Sequence, residues 1–184
     1  RILRDVKLSA NRGMIVDRNG EPLAVSTPVD TVWADPRKLA QHPQEFARLA
    51  KALDRDKNWL ARRVTSNLDR EFVYLVRHMR PADAAKVKAL GISGVDTLRE
   101  YRRYYPAGEV TGHLLGFTNV DDVGQEGLEL AFDQWLGGEP GIKRVMRDRE
   151  GRTIEDIERI KAPRPGQDLR TSIDLRVQYL AYRA

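Results

Sequence analysis

The sequence predicts an α+β chain, an elongated strand-rich body with a helix-containing lobe inserted into it. Three observations carry this. An Asn-Gly bend, Asn19-Gly20, lies between two hydrophobic runs near the start, the strongest short-range hairpin signal. Helix-period stretches gather between residues 36 and 100. Strand-like and turn-rich stretches flank them on both sides. The expected body is 9–34 with 101–173, the lobe 36–100, and 174–184 the start of a further helix.

Each element has a local reason. Met14, Ile15 and Val16 lead into the bend and Leu23, Ala24 and Val25 lead out; a type I′ turn at Asn19-Gly20 needs φ > 0 at both residues. Pro22 cannot donate to a ladder, which points to an edge there. Val29, Thr31, Val32 and Trp33 favour a strand that Pro36 stops. In "PQEFARLAKALD", Phe46, Leu49, Ala50 and Leu53 fall at helical spacing. "NWLARRVTSNL" repeats this with Leu60, Val64 and Leu68. "EFVYLVRHM" reads as a strand, and "PADAAKVKALG" as a helix with Pro81 in its first turn and Gly91 after its end. "GVDTLREYRRYYP" is again a strand.

"GEVTGHLLG" reads as a short helix closed by Gly116. "EGLELAFDQWLGG" reads as a longer one, with Leu128, Phe132 and Trp135 or Leu136 on one face. "GIKRVMRDREGRTIEDIERI" is a second hairpin bending at Arg149-Glu150-Gly151. A Pro/Gly turn, the strand "LRTSID" and a last helix complete the chain. Asp17-Arg18-Asn19-Gly20 and Asp148-Arg149-Glu150-Gly151 share D-R-x-G at their bends, without a wider repeat.

The 184 residues fit one ordinary domain or two small ones. No cysteine is present, which excludes disulfides and thiolate metal sites. His42, His78 and His113 are too scattered for a histidine metal site, and neither metal nor cofactor is expected. The net charge of +5 admits a second reading, a basic nucleic-acid-binding domain. Acids interleave with bases throughout, which favours a mixed solvated surface instead. No stretch reads as a signal peptide or spans a bilayer. The start at Arg1 and the end in "VQYLAYRA" point to a piece of something longer.

No catalytic constellation is present. The chain lacks a Walker A loop and G-x-G-x-x-G. Gly124 and Gly127 precede a helix, but Glu126 and Glu129 would repel a phosphate there. His113 reads as a structural, hydrogen-bonded histidine.

Five motifs in order, "RGMIVDRNGEPLA", "RRYYPAGEVTGHLLGF", "GQEGLE", "FDQWLGGEPG" and "DREGR", resemble the non-catalytic N-terminal module of class B penicillin-binding proteins. The division-specific type, penicillin-binding protein 3, is the nearest in pattern. The family's D,D-transpeptidase domain uses S-x-x-K, S-x-N and K-[ST]-G. None of Ser9, Ser26, Ser66, Ser93 and Ser172 has Lys three positions on, and no K-[ST]-G occurs. Ser9-Ala10-Asn11 matches S-x-N without its companions. The resemblance therefore implies a module without the enzyme, on the periplasmic side of the inner membrane, followed by a transpeptidase domain. It implies as partners that transpeptidase domain, division proteins of the inner membrane and a weak homodimer, with no nucleic acid.

The resemblance also implies a structural charge network of Arg12, Asp17, Arg18, Arg103, Glu126, Glu129, Asp148 and Arg149. Within it, Arg12, Arg103 and either Glu126 or Glu129 are expected to interlock. Arginine suits such a role, because it grips a carboxylate through two parallel bonds. Trp33, Trp59, Tyr101, Tyr104 and Tyr105 are candidate anchors for protein contacts.

Overall fold

The computed structural model describes residues 2–149 and 153–184. Strand β1 (Ile2–Leu8) leads to β2 (Ile15–Val16) and β3 (Pro22–Ala34). Helices α1 (Pro36–Leu39), α2 (Phe46–Leu53) and α3 (Lys57–Thr65) follow. Next come β4 (Val73–Met79), α4 (Pro81–Ala89) and β5 (Val95–Tyr104). Three short helices, α5 (Gly112–Leu115), α6 (Gly127–Ala131) and α7 (Asp133–Gly137), precede β6 (Gly141–Arg147). The chain ends with β7 (Thr153–Lys161), β8 (Leu169–Arg170) and α8 (Leu175–Arg183). The fold is α+β.

Two units emerge. One comprises Arg1–Val6, Val29–Glu100 and Ile142–Ile160; the other comprises Lys7–Pro28, Tyr101–Gly141 and Lys161–Ala184. This division differs from the one read in the sequence. Residues 29–34 and 142–160 group with 36–100. The reason is pairing: β3 runs on through Pro28 to Ala34, where Val32 faces Val76 and Ala34 faces Val73 of β4.

The first unit has a large apolar core. Phe46, Leu49, Ala50 and Leu53 of α2 are all buried, as their spacing requires. Asp56 caps α3, its carboxylate accepting the Asn58 and Trp59 N–H groups at 2.7 and 3.4 Å. Leu60 and Val64 of α3 join the core. Leu68 does not: α3 stops at Thr65, and Leu68 is exposed. Ala84 and Val87 of α4 and Val73, Leu75 and Val76 of β4 close the cluster. Burying each large aliphatic side chain contributes about 1.5–3 kcal/mol. A three-stranded sheet of order β1-β6-β7 also forms. β1 precedes residue 9, where the sequence reading begins; adjacent Arg4 and Asp5 break its alternation.

The second unit has a small apolar core of Ile15, Leu23, Ala24, Leu115 and Leu136. Here β2 pairs antiparallel with β3, Ile15 opposite Ala24, and parallel with β8, Ile15 opposite Leu169. The bend between β2 and β3 is not type I′. Gly20 has φ +84°, while Asn19 is not among the left-handed residues. Gly20 N–H donates to the Asp17 carbonyl at 3.1 Å, and Asp17 N–H to the Glu21 carbonyl at 2.8 Å. This is a three-residue loop, Arg18 to Gly20, closed by Asp17 and Glu21, with glycine alone in the left-handed position. The Asp17 carboxylate selects it by accepting the Asn19 and Glu21 N–H groups, both at 2.8 Å.

The expected long helix over "EGLELAFDQWLGG" is also revised. It is two short helices that meet at Phe132, whose φ of −113° leaves the helical range. Phe132 and Trp135 are exposed, Leu136 is buried, and the residue that α6 buries is Glu129. The second hairpin's bend at Glu150-Gly151 lies outside the described residues.

Candidate functional site: a buried ionic cluster

Glu129 is wholly buried, with Arg12 and Arg103 almost so. A lone buried charge would cost several kcal/mol, so a carboxylate persists there only with its lone pairs filled. They are filled. Arg103 Nε donates to Glu129 Oε2 at 2.9 Å and its Nη2 to Oε1 at 3.1 Å, a two-pronged grip. Arg12 Nε donates to Oε1 at 3.1 Å, and Tyr105 Oη to Oε2 at 2.8 Å.

The arginines are used up in turn. Arg12 Nη2 donates to the Glu129 carbonyl at 2.9 Å. Its Nη1 donates to Asp133 Oδ1 at 2.7 Å and to the Asp122 carbonyl at 3.0 Å. Arg103 reaches the Gly13 carbonyl and, at 3.1 Å, Ser26 Oγ. Five stretches of chain thus meet: the segment before β2, β3, β5, the turn before α6, and α6–α7. The residues that meet, Arg12, Gly13, Ser26, Arg103, Tyr105, Asp122, Glu129 and Asp133, all belong to the second unit. Gly124 permits the approach, because a Cβ there would stand 2.0 Å from the Glu129 carbonyl oxygen. The Tyr105 hydroxyl's pKa is raised well above the usual tyrosine range by burial and by the adjacent Glu129 charge.

A second constellation lies at the hairpin. Asp17, almost fully buried, accepts the Leu175 N–H through Oδ2 at 3.2 Å, besides the two bend amides. Burial pushes its carboxyl up, but the amides of Glu21, Leu175 and Asn19 hold it below the usual range. Arg18 contributes through its backbone, its N–H donating to the Ile173 carbonyl and its carbonyl accepting from Arg170 Nη1, at 2.8 and 2.9 Å. The bend is therefore clasped to the start of α8.

The structure brings Arg12, Arg103 and Glu129 together and Asp17 with Arg18 into the clasp. Glu126 is exposed ahead of α6 and contributes no capping bond. Asp148 and Arg149 follow β6 and group with the first unit. Of the expected aromatic anchors, Trp33 is buried, stacked on Phe72 at 4.7 Å and with the Arg147 guanidinium 4.6 Å from its ring. Tyr105 is engaged with Glu129, and Tyr104 is the most exposed. His113 is exposed.

Sequence reasoning missed Asp133, Ser26 and Asp122, and took Tyr105 for a contact anchor rather than a partner of Glu129. Two had a signal. Tyr105 lies two residues beyond Arg103, the spacing that keeps one face of an extended chain. Asp133 lies four beyond Glu129, the spacing of helical neighbours. Ser26 and Asp122 carried none.

The carboxylates of Glu129, Asp133 and Asp17 are engaged by arginine, tyrosine and amide donors. Among the described residues no group of three metal-ligating side chains gathers, and no helix is long and apolar enough to cross a membrane.

Residues 7–171 match the family described as "Penicillin-binding Protein dimerisation domain". The chain is 46% identical over its whole length to the probable peptidoglycan D,D-transpeptidase PbpC of Pseudomonas aeruginosa. It is 45% identical, again over its whole length, to peptidoglycan D,D-transpeptidase FtsI of Escherichia coli. It spans about a third of the length of these relatives, 33% and 32% respectively. Among solved structures, the complex of PBP2 and MreC from Helicobacter pylori shares the fold. There the TM-score is 0.68 at 22% identity, over 99% of this chain and 38% of the other. The chain belongs to the penicillin-binding protein dimerisation-domain family.

Proposed function

We propose that this chain is the non-catalytic pedestal of a peptidoglycan D,D-transpeptidase that acts in septal cell-wall synthesis and cell division. In this reading it stands on the periplasmic side of the inner membrane and holds a penicillin-binding domain in place. It contacts that domain, membrane division proteins and, weakly, a second copy of itself. The relatives' activity and the family's description support the enzyme and the self-association. The nucleic-acid alternative finds no support among the relatives.

The observation that carries the pedestal role is the clasp. Asp17 ties a hairpin near the start of the sequence to Leu175, the first residue of the last helix. Any domain that continues from α8 inherits its direction from that bond and from the parallel β2–β8 pair. The exposed Val177, Leu180 and Tyr182 of α8 suit a helix with something to lean on.

Incubating the chain with a fluorescent penicillin and weighing the product tests the division of labour. No acyl adduct is expected; a stoichiometric adduct would overturn it. Sedimentation over a range of concentrations tests the second copy, with weak self-association expected and a strict monomer counting against it.

A further inference from the structure

The buried cluster contains one carboxylate too many. Arg12 and Arg103 are matched by Glu129 and Asp133 through the bonds described above. Asp122 is the third carboxylate, and Arg12 takes its backbone carbonyl rather than its side chain. Its Oδ1 is buried and has no hydrogen-bond partner among the described residues. A buried carboxylate oxygen in that position is tolerable when the group is neutral and costly when it is charged.

The backbone places it there deliberately. Asp122 has φ +62°, a left-handed conformation that few side chains other than Asn and Asp adopt readily. It belongs to a tight turn. Asn119 N–H donates to the Val123 carbonyl at 2.9 Å, and Asp122 N–H to the Asn119 carbonyl at 3.0 Å. The Asn119 side chain accepts the Asp121 and Val123 N–H groups, both at 3.0 Å. The turn is fastened to the cluster by Arg12 and by Asp133 Oδ1, which accepts the Gly124 N–H at 2.8 Å. Val120 and Val123 project from it, exposed.

We propose that Asp122 is a proton-controlled latch, docked against the ionic cluster when protonated and released with its turn when ionised. The groups that face it are Arg12 ahead of β2, Arg103 on β5, Glu129 on α6 and Asp133 on α7. Burial and the two carboxylates favour the neutral form; the two arginines oppose it, with their donors already engaged. Burial prevails and pushes the Asp122 carboxyl up to about 6. The sign follows. A carboxyl raised in the folded state stabilises its docked form below the ordinary carboxylate range, and that contribution is lost as pH rises through about 6. The chain then presents Val120 and Val123 on a loosened turn at neutral pH and on a fixed one in mild acid.

Amide hydrogen exchange of the chain at about pH 5 and about pH 8, corrected for intrinsic rates, tests this. Protection at Asp122 and Val123 should be about tenfold or more higher in acid, the change expected of a shift of one or two units. Asp122→Asn should keep the turn and its left-handed residue and abolish the pH dependence. An unchanged pH dependence in that variant, or none in the wild type, would overturn the latch. Should the variant fail to fold, carbon NMR titration of the wild-type Asp122 carboxyl decides. A midpoint near 6 supports the latch, and one in the ordinary carboxylate range overturns it.

Discussion

The two units solve the problem of a core in different ways. Among the described residues, the first gathers sixteen buried apolar residues into one cluster. Its Arg77–Glu100 pair, bonded at 2.7 Å, keeps both side chains partly in solvent. The second has five such apolar residues and places Arg12, Arg103 and Glu129 at its centre. Apolar packing is non-directional, so it holds helices and strands together wherever their faces match. A bidentate arginine–carboxylate grip fixes angle as well as distance. The second unit joins short and irregular segments with little apolar surface, and there direction is what the chain must supply.

The contrast can be broken most forcefully at Glu129. Glu129→Ala leaves two buried guanidinium groups facing a void, and unfolding in urea should show a loss of about 3–5 kcal/mol. In the first unit, Leu60→Ala should cost about 2–5 kcal/mol through lost transfer energy and a cavity, and should do so equally at high and low salt. If Glu129→Ala cost less than about 1 kcal/mol, the second unit's ionic centre would be an ornament on an apolar core.

These differences also explain what the sequence made legible. The first unit's helices follow from period: Phe46, Leu49, Ala50 and Leu53 mark a face, and the same face is buried. The second unit misled that reasoning. Leu128, Phe132 and Trp135 look like a helical stripe, yet α6 turns Glu129 inward and leaves Phe132 and Trp135 outside. A rule that ranks residues by hydrophobicity cannot anticipate a glutamate at the centre, because its burial depends on two arginines remote in sequence. The motif order pointed to Arg12, Arg103 and Glu129 but equally to Glu126, Asp148 and Arg149. Nothing local distinguishes them; the distinction is made by which carboxylate the chain carries to the arginines. The hairpin failed in a subtler way. Asn19-Gly20 announces a two-residue bend, but Asp17 captures two amides and enlarges it to three.

Smaller perturbations sharpen the comparison. Tyr105→Phe removes one of the donors to Glu129 while keeping the ring, and should cost about 1.5 kcal/mol in thermal or urea unfolding. Arg80→Ala in the first unit touches a surface pair with Asp83 whose arginine side chain is 85% exposed. Its effect should stay below about 0.5 kcal/mol and vanish in high salt. A surface pair that mattered as much as Tyr105 would erase the distinction between buried and exposed charge on which the contrast rests.

The central claim is that Arg12, Arg103 and Glu129 act as one unit, and a double-mutant cycle between Arg103 and Glu129 tests it most directly. Unfolding free energies of Arg103→Ala, Glu129→Ala and the double variant should be strongly non-additive, with a coupling of about 1–3 kcal/mol. The double variant should be less damaged than the sum, because removing both partners leaves no uncompensated charge between them. Losses that add to within about 0.5 kcal/mol would contradict the account.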